Sequence, residues 1–216
     1  MNKSDCIVFD KVTISYGAEE AVRNVSFSVP NGEVFAIVGE SGSGKSTLVR
    51  AAFCMLKQAT ISGQILLNGT DVSTLSDGDW RQLRGTKISM IFQNPSAYLN
   101  PNRTVENHFK DLFRAHDESY NVSRVINMLQ LVYLTDGERI LQSYPFQLSG
   151  GMQQRLAIAL SLILKPSIVF ADEPTSALDM LVQASVLDLM KEVTQALGAT
   201  VIIVTHNIKA AARIAN

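Results

Sequence analysis

Cysteine is scarce. Cys6 and Cys54 are the only two in 216 residues, far apart and in no metal-ligand spacing. That excludes a disulfide framework, and reduced, buried thiols in a cytosolic protein are the expectation. Long apolar runs are lacking as well. The most apolar helical stretch, Leu156 to Leu164, falls far short of the roughly 20 residues that cross a bilayer. Any membrane association is therefore expected to be peripheral. The N-terminus lacks the charged-then-apolar layout of a signal peptide. Neither sign of charge predominates: 19 Lys and Arg face 20 Asp and Glu, which gives no electrostatic reason to expect nucleic acid as a partner. Internal repeats and low-complexity segments are absent. What is there, 46% hydrophobic and 18% charged, is a folding composition. The length suits one sizeable domain or a domain with a subdomain.

The most informative stretch is Gly39-Glu40-Ser41-Gly42-Ser43-Gly44-Lys45-Ser46-Thr47. It fits the P-loop pattern of Gly, four residues, Gly, Lys, then Ser or Thr. Val34 to Val38 before it reads as a strand, and Leu48 to Leu56 after it as a helix. The glycines let successive N–H groups curl around phosphate oxygens, and the helix directs its positive end at the same anion. Lys45 can reach the β- and γ-phosphates, and the Ser46 hydroxyl can ligate Mg²⁺. A nucleoside triphosphate is the ligand this stretch predicts.

Strand patterns at Ile7 to Ile14 and Val25 to Val29 predict a small antiparallel sheet, with Tyr16 in the loop between them. A flat ring beside a nucleotide site can stack on a base, although partial packing is the commoner use of such a residue. Asn68-Gly69 predicts a hairpin, and Ser76 to Leu83 a short surface helix. Lys87 to Phe92 reads as a buried strand ending at Gln93. Val105 to Leu134 is helical in pattern, followed by a helix from Gln153 to Leu164 stopped by Pro166. Ser167 to Ala171 and Thr200 to Val204 read as buried strands around a helix from Met180 to Leu197, closed by Gly198.

The predicted fold is α/β: a P-loop NTPase core with a mostly parallel sheet, an N-terminal antiparallel β subdomain and an inserted α-helical subdomain. The core takes residues 1–93 and 166–216, and the helical insertion residues 94–165. In a parallel sheet the chemistry lies at the carboxyl ends of the strands. Gly39, Gln93, Asp172 and His206 all fall just past such ends. Asp172 suits a direct or water-mediated Mg²⁺ role, and Glu173 can orient the attacking water or take its proton. Gln93 suits Mg²⁺ coordination, water positioning or simply the start of a loop. His206 suits a γ-phosphate contact or a structural role. Ser149, Gly150 and Gly151 open a second helix with bare N–H groups suited to an anion or to a plain cap. His108 and His116 lack metal-ligand spacing and read as surface residues.

Together these residues resemble the ATP-binding subunits of ABC transporters. Gly39 to Thr47 matches Walker A, Gln93 the Q-loop and Leu148 to Gln153 the signature motif. Ile168 to Glu173 matches Walker B, Ser176 to Asp179 the D-loop and His206 the H-loop. Tyr16 sits where the family has its adenine-stacking aromatic. The resemblance implies ATP and Mg²⁺ as cofactors and a head-to-tail dimer with ATP sandwiched between two chains, identical or paralogous. Ser149 and Gly151 would then bind the γ-phosphate held by the partner, with Gly150 and Gln153 in the same nucleotide-binding segment. Glu173 would be the catalytic base, His206 the γ-phosphate sensor and Asp179 the bridge between sites. The region from Gln93 to Pro101 would meet a transmembrane partner. That places the subunit peripherally on the cytoplasmic face of the membrane, with two permease subunits and, indirectly, a solute-binding protein.

Phe92-Gln93-Asn94-Pro95, Leu99-Asn100-Pro101 and Tyr144-Pro145 resemble the branch that imports di- and oligopeptides, nickel and metal–chelator complexes. The alternative class is a soluble ABC ATPase acting on nucleic acid or ribosomes. Such proteins usually carry two nucleotide domains or a long inserted coiled coil, and this chain has neither. Phe146-Gln147 replaces the usual His-Glu pair, and Asn207 the usual Asp. The chain stops ten residues after His206, so the C-terminal part of the family domain is expected to be absent.

Overall fold

The computed structural model describes residues 5–176, 178 and 180–214. Two sheets form it. β1 (Asp5–Tyr16) pairs antiparallel with β2 (Glu19–Pro30) on one side and with β4 (Thr60–Leu67) on the other, and β5 (Thr70–Asp71) completes the order β2-β1-β4-β5. The β4–β5 turn falls on Asn68-Gly69. Both residues have positive φ, 48° and 78°, the geometry of a tight turn that follows the strands' own twist.

The second sheet is parallel, in the order β3 (Val34–Val38), β8 (Thr200–Thr205), β7 (Ile168–Asp172), β6 (Ile88–Ile91). These are the short apolar, β-branched runs expected of strands covered on both faces. Alternation divides their side chains between two cores. Ile168, Phe170, Ile202 and Val204 face α1 (Lys45–Ala52) and the antiparallel sheet. Val169, Ala171, Val201 and Ile203 face the opposite way. There they meet α6 (Gly150–Leu162), α7 (Met180–Leu197) and α8 (Ile208–Ile214). The register pairs Val38 with Thr205, Asp172 with Val204 and Ile91 with Ala171. All four strands thus end at nearly one level.

The helical stretch after residue 94 contains no strand among its described residues, and its large apolar side chains join the second core. The helical pattern from Val105 to Leu134 divides into two helices. α3 (Val105–Ala115) stops at His116, Asp117 takes φ 54°, and α4 (Val122–Leu131) restarts where the Asn121 side chain accepts from the Arg124 N–H. Periodicity survives the break because Phe109, Phe113, Val125 and Leu129 all bury in one core. A further short helix, α5 (Gly137–Gln142), follows.

Other boundaries move for local reasons. α1 begins at Lys45, directly after a left-handed Gly44, and ends at Ala52 before Cys54, itself left-handed at φ 52°. α6 begins at Gly150 rather than Gln153, because Ser149 caps it by accepting from the Met152 N–H. Gly198 closes α7 with φ 65°, as expected. α2 (Asp77–Leu83) is less superficial than its polarity suggests, since Trp80 is buried beneath it. Tyr16 ends β1 opposite Glu19 instead of lying in a loop. Cys6 is buried, as expected, whereas Cys54 is exposed at the turn that ends α1, against expectation. His108 and His116 are half-buried. The His108 ring accepts from the Asn100 N–H and contacts the Thr104 carbonyl, so it braces the loop ahead of α3. No described helix is long and apolar enough to cross a membrane.

Candidate nucleotide site

The strand ends converge as the sequence suggests. β3 runs into the P-loop, β6 into Gln93, β7 into Asp172 and Glu173, and β8 into His206. A cavity of about 250 Å³ is lined by Ser41, Gly44, Lys45, Thr47, Gln93 and Glu173 among others, and so joins three of the four ends. A larger groove of about 540 Å³ around Leu131, Tyr133 and Glu192 carries none of these groups.

The loop needs its glycines where the backbone turns. Gly42 and Gly44 take φ 82° and 86°. At Gly44 a Cβ would collide with the Ala21 carbonyl and press on Val22, so β2 packs directly against the loop. Gly44→Ala combines that collision with a left-handed backbone. It is expected to cost about 1–3 kcal/mol of stability and to weaken nucleotide binding, measured by thermal denaturation and nucleotide titration.

Lys45 is buried, and its ammonium donates to the Glu40 carbonyl and, at 3.1 Å, to Ser43 Oγ. The cation is thereby held over the loop by the loop's own oxygens. Ser46 Oγ donates to Asp172 Oδ1 at 2.5 Å, and Arg50 Nη2 donates to Asp172 Oδ2 at 3.1 Å. Asp172 is almost fully enclosed. The sequence reading missed Arg50, although its spacing carried a signal. Ser46 and Arg50 are four residues apart on α1 and share a face, so both can reach one carboxylate.

Glu173 has φ 46°, a left-handed conformation uncommon outside glycine. Its N–H still donates to the Val204 carbonyl, so sheet pairing holds the chain up to the point where it turns. The side chain is mostly buried. Oε1 lies 3.0 Å from His206 Nδ1, and Oε2 lies 3.5 Å from Gln93 Nε2, the outer limit of a hydrogen bond. A carboxylate partner requires the proton on Nδ1 and leaves His206 Nε2 free for another ligand. Glu173, His206 and Gln93 thus form one cluster beside the P-loop.

The oxygen donors around Ser46 suit a hard cation such as Mg²⁺, which needs one or two protein oxygens when phosphates supply others. Among the described residues no group of three or more His, Cys, Asp or Glu could hold a metal by itself. The Ser46–Asp172 pair could supply protein oxygens to such an ion.

The second glycine segment lies elsewhere. Ser149 and Gly150 are exposed, Gly151 packs against Val182, and none of these residues lines the cavity at the P-loop. The Ser149 hydroxyl caps α6 with its oxygen and keeps its proton to donate. Gln153 serves its own chain, with its amide donating to the Pro145 and Leu148 carbonyls at 2.9 and 3.1 Å. Just ahead, Phe146 stacks on Tyr144 with both rings exposed. Asp179 lies outside the described residues.

The family described as ABC transporter matches residues 22–176. This chain belongs to the ABC transporter family. A dipeptide transport ATP-binding protein, DppD of Bacillus subtilis (strain 168), is 43% identical over 206 residues, 93% of this chain and 62% of the relative. An oligopeptide transport ATP-binding protein, OppD of Lactococcus lactis subsp. cremoris (strain SK11), is 39% identical over 92% of this chain and 60% of the relative. The chain therefore spans somewhat under two thirds of the length of these relatives. Among solved structures, the dimeric post-hydrolysis state of the ATP-binding cassette MJ0796, bound to ADP and Pi, superposes with a TM-score of 0.81 at 33% identity. That match covers 96% of this chain and 90% of the other. The ABC transporter fold is thus shared almost throughout.

Proposed function

We propose that this chain is the ATP-hydrolysing subunit of an ABC importer of peptides. One observation carries the ATPase reading: the P-loop lysine, the Ser46–Asp172 pair and the Glu173–His206–Gln93 cluster meet at one end of the parallel sheet. Peptide as cargo rests on the relatives, which are named for dipeptide and oligopeptide transport. Nickel and metal–chelator complexes have no such support.

Lys45 and the loop N–H groups bind the β- and γ-phosphates, and Tyr16, half-exposed at the end of β1, stacks on adenine. Ser46 and Asp172, with Gln93 at the rim, would hold Mg²⁺, which would neutralise phosphate charge. Glu173 accepts a proton from a water whose oxygen attacks the γ-phosphorus, and the bond to the β–γ bridging oxygen breaks to release ADP. His206 steadies the Glu173 carboxylate through Nδ1 and, when its ring carries both protons, donates from Nε2 to the γ-phosphate. Ser149 and Gly151 act on the nucleotide of a second subunit, because their helix start is exposed and stands apart from the cavity of its own chain. Two permease subunits receive the resulting motion on the cytoplasmic face, near Gln93 to Pro101, and a solute-binding protein delivers the peptide.

Affinity capture of the tagged chain from solubilised membranes tests this. Two integral membrane subunits should co-purify, and the reconstituted complex should import labelled dipeptide with ATP. A complex that hydrolyses ATP without importing peptide would overturn the cargo. Recovery of the chain without any membrane subunit would overturn the importer.

A further inference from the structure

Asp172 is the most enclosed carboxylate at the site, with its side chain 3% exposed. Each oxygen has one partner: Ser46 Oγ on Oδ1 and Arg50 Nη2 on Oδ2. The two partners differ in kind. Ser46 supplies a neutral hydrogen bond, whereas Arg50 supplies the charge. Lys45, directly before Ser46 in sequence, is turned toward Glu40 and Ser43 instead. Among the described residues Arg50 is the cation paired with this carboxylate. It does so from a half-exposed position, reaching inward from α1.

A buried carboxylate without a counter-charge is strongly unfavourable. In nucleotide-free protein Arg50 meets that need. Once a divalent cation lies at Ser46, the carboxylate has a second positive neighbour, and the contribution of Arg50 is partly redundant. The guanidinium therefore stabilises the metal-free form more than the metal-bound form. Linkage makes the effect reciprocal: a group that favours the metal-free form weakens metal uptake by the same factor.

We propose that Arg50 is a built-in placeholder for the divalent cation, holding Asp172 neutralised in the empty site and setting how tightly Mg²⁺ is taken up with nucleotide. The proposal rests on Ser46 and Asp172 being the metal site. A plain structural ion pair predicts otherwise, since losing it would lower stability equally with and without metal.

The test uses Arg50→Gln and Arg50→Lys, with ADP saturating. Mn²⁺ binding is followed by the electron paramagnetic resonance signal of the free ion, and melting is recorded with ADP in EDTA and in Mg²⁺. Arg50→Gln should bind Mn²⁺ about fivefold more tightly than the unaltered chain, at the low end of site-to-site couplings because Arg50 is half-exposed. Its melting temperature should also rise more on adding Mg²⁺. Arg50→Lys, which keeps the charge, should stay close to the unaltered chain. If Arg50→Gln does not fold in EDTA, refolding with Mg²⁺ and ADP should rescue it. Equal or weaker Mn²⁺ binding, or no rescue by Mg²⁺, overturns the proposal. Failure of the unaltered chain to bind Mn²⁺ beyond what free ADP binds would instead overturn the metal site itself, and the role of Arg50 with it.

Discussion

Glu173→Gln is expected to reduce ATP turnover by about 10²–10⁴-fold, the range of general-base catalysis, while ATP affinity stays within about twofold of the unaltered chain. Glutamine keeps the shape of the side chain, and its amide oxygen still accepts from His206 Nδ1, now 3.0 Å from Oε1. The backbone at this position is fixed by the hydrogen bond from the Glu173 N–H to Val204, so the substitution should not move the strand end. What it removes is the carboxylate that contacts both Gln93 and His206. The phosphate contacts proposed for Lys45 and the loop N–H groups are left alone by the change. Rapid-quench measurement of ATP cleavage, beside titration with a fluorescent ATP analogue, separates the two quantities. Turnover at the original rate would remove Glu173 from the role of base.

Lys45→Ala should cost still more at the binding step. A charge-assisted contact to phosphate in a partly closed site is worth more than a neutral hydrogen bond. Loss of about 100-fold or more in ATP affinity, equivalent to about 2.7 kcal/mol, is the expected result by isothermal titration. The substitution also releases the Glu40 carbonyl and the Ser43 hydroxyl from their shared donor. These loop groups can turn to water, so the melting temperature should change little. An unchanged affinity would contradict the phosphate-binding role of the loop.

Much of this site is legible in the sequence because its signals are local. A strand, a glycine loop and a helix in succession define the P-loop, and each other candidate stands directly after an apolar run. The structure brings Gln93, Glu173 and His206 together because β6, β7 and β8 are neighbours in register. What escaped reading depends on geometry that periodicity does not encode. Residues 116–121, with Asp117 at φ 54°, break the helical stretch, and the apolar spacing on either side is unaffected. Gln153 looks like part of an anion site from its neighbours in sequence, yet its amide is turned back on Pro145 and Leu148. Arg50 reads as an ordinary helix surface residue until Asp172, 122 positions away, is placed beside it. α8 follows His206 with no turn signal strong enough to announce it. Ser149 is legible as a cap from its own neighbours, whereas the role proposed for it toward a second chain comes only through the family resemblance, since no single chain contains the site it would complete.

That last point sets the decisive measurement. Light scattering on the Glu173→Gln chain should give a doubled mass when ATP is added and a single-chain mass without it. Adding Ser149→Arg to the same chain places a bulky cation at the start of α6, outside the lining of the P-loop cavity. It should abolish the doubling while each chain still binds ATP. A single-chain mass for ATP-loaded Glu173→Gln, or a doubling that Ser149→Arg leaves untouched, would contradict a nucleotide site completed by the partner's signature segment.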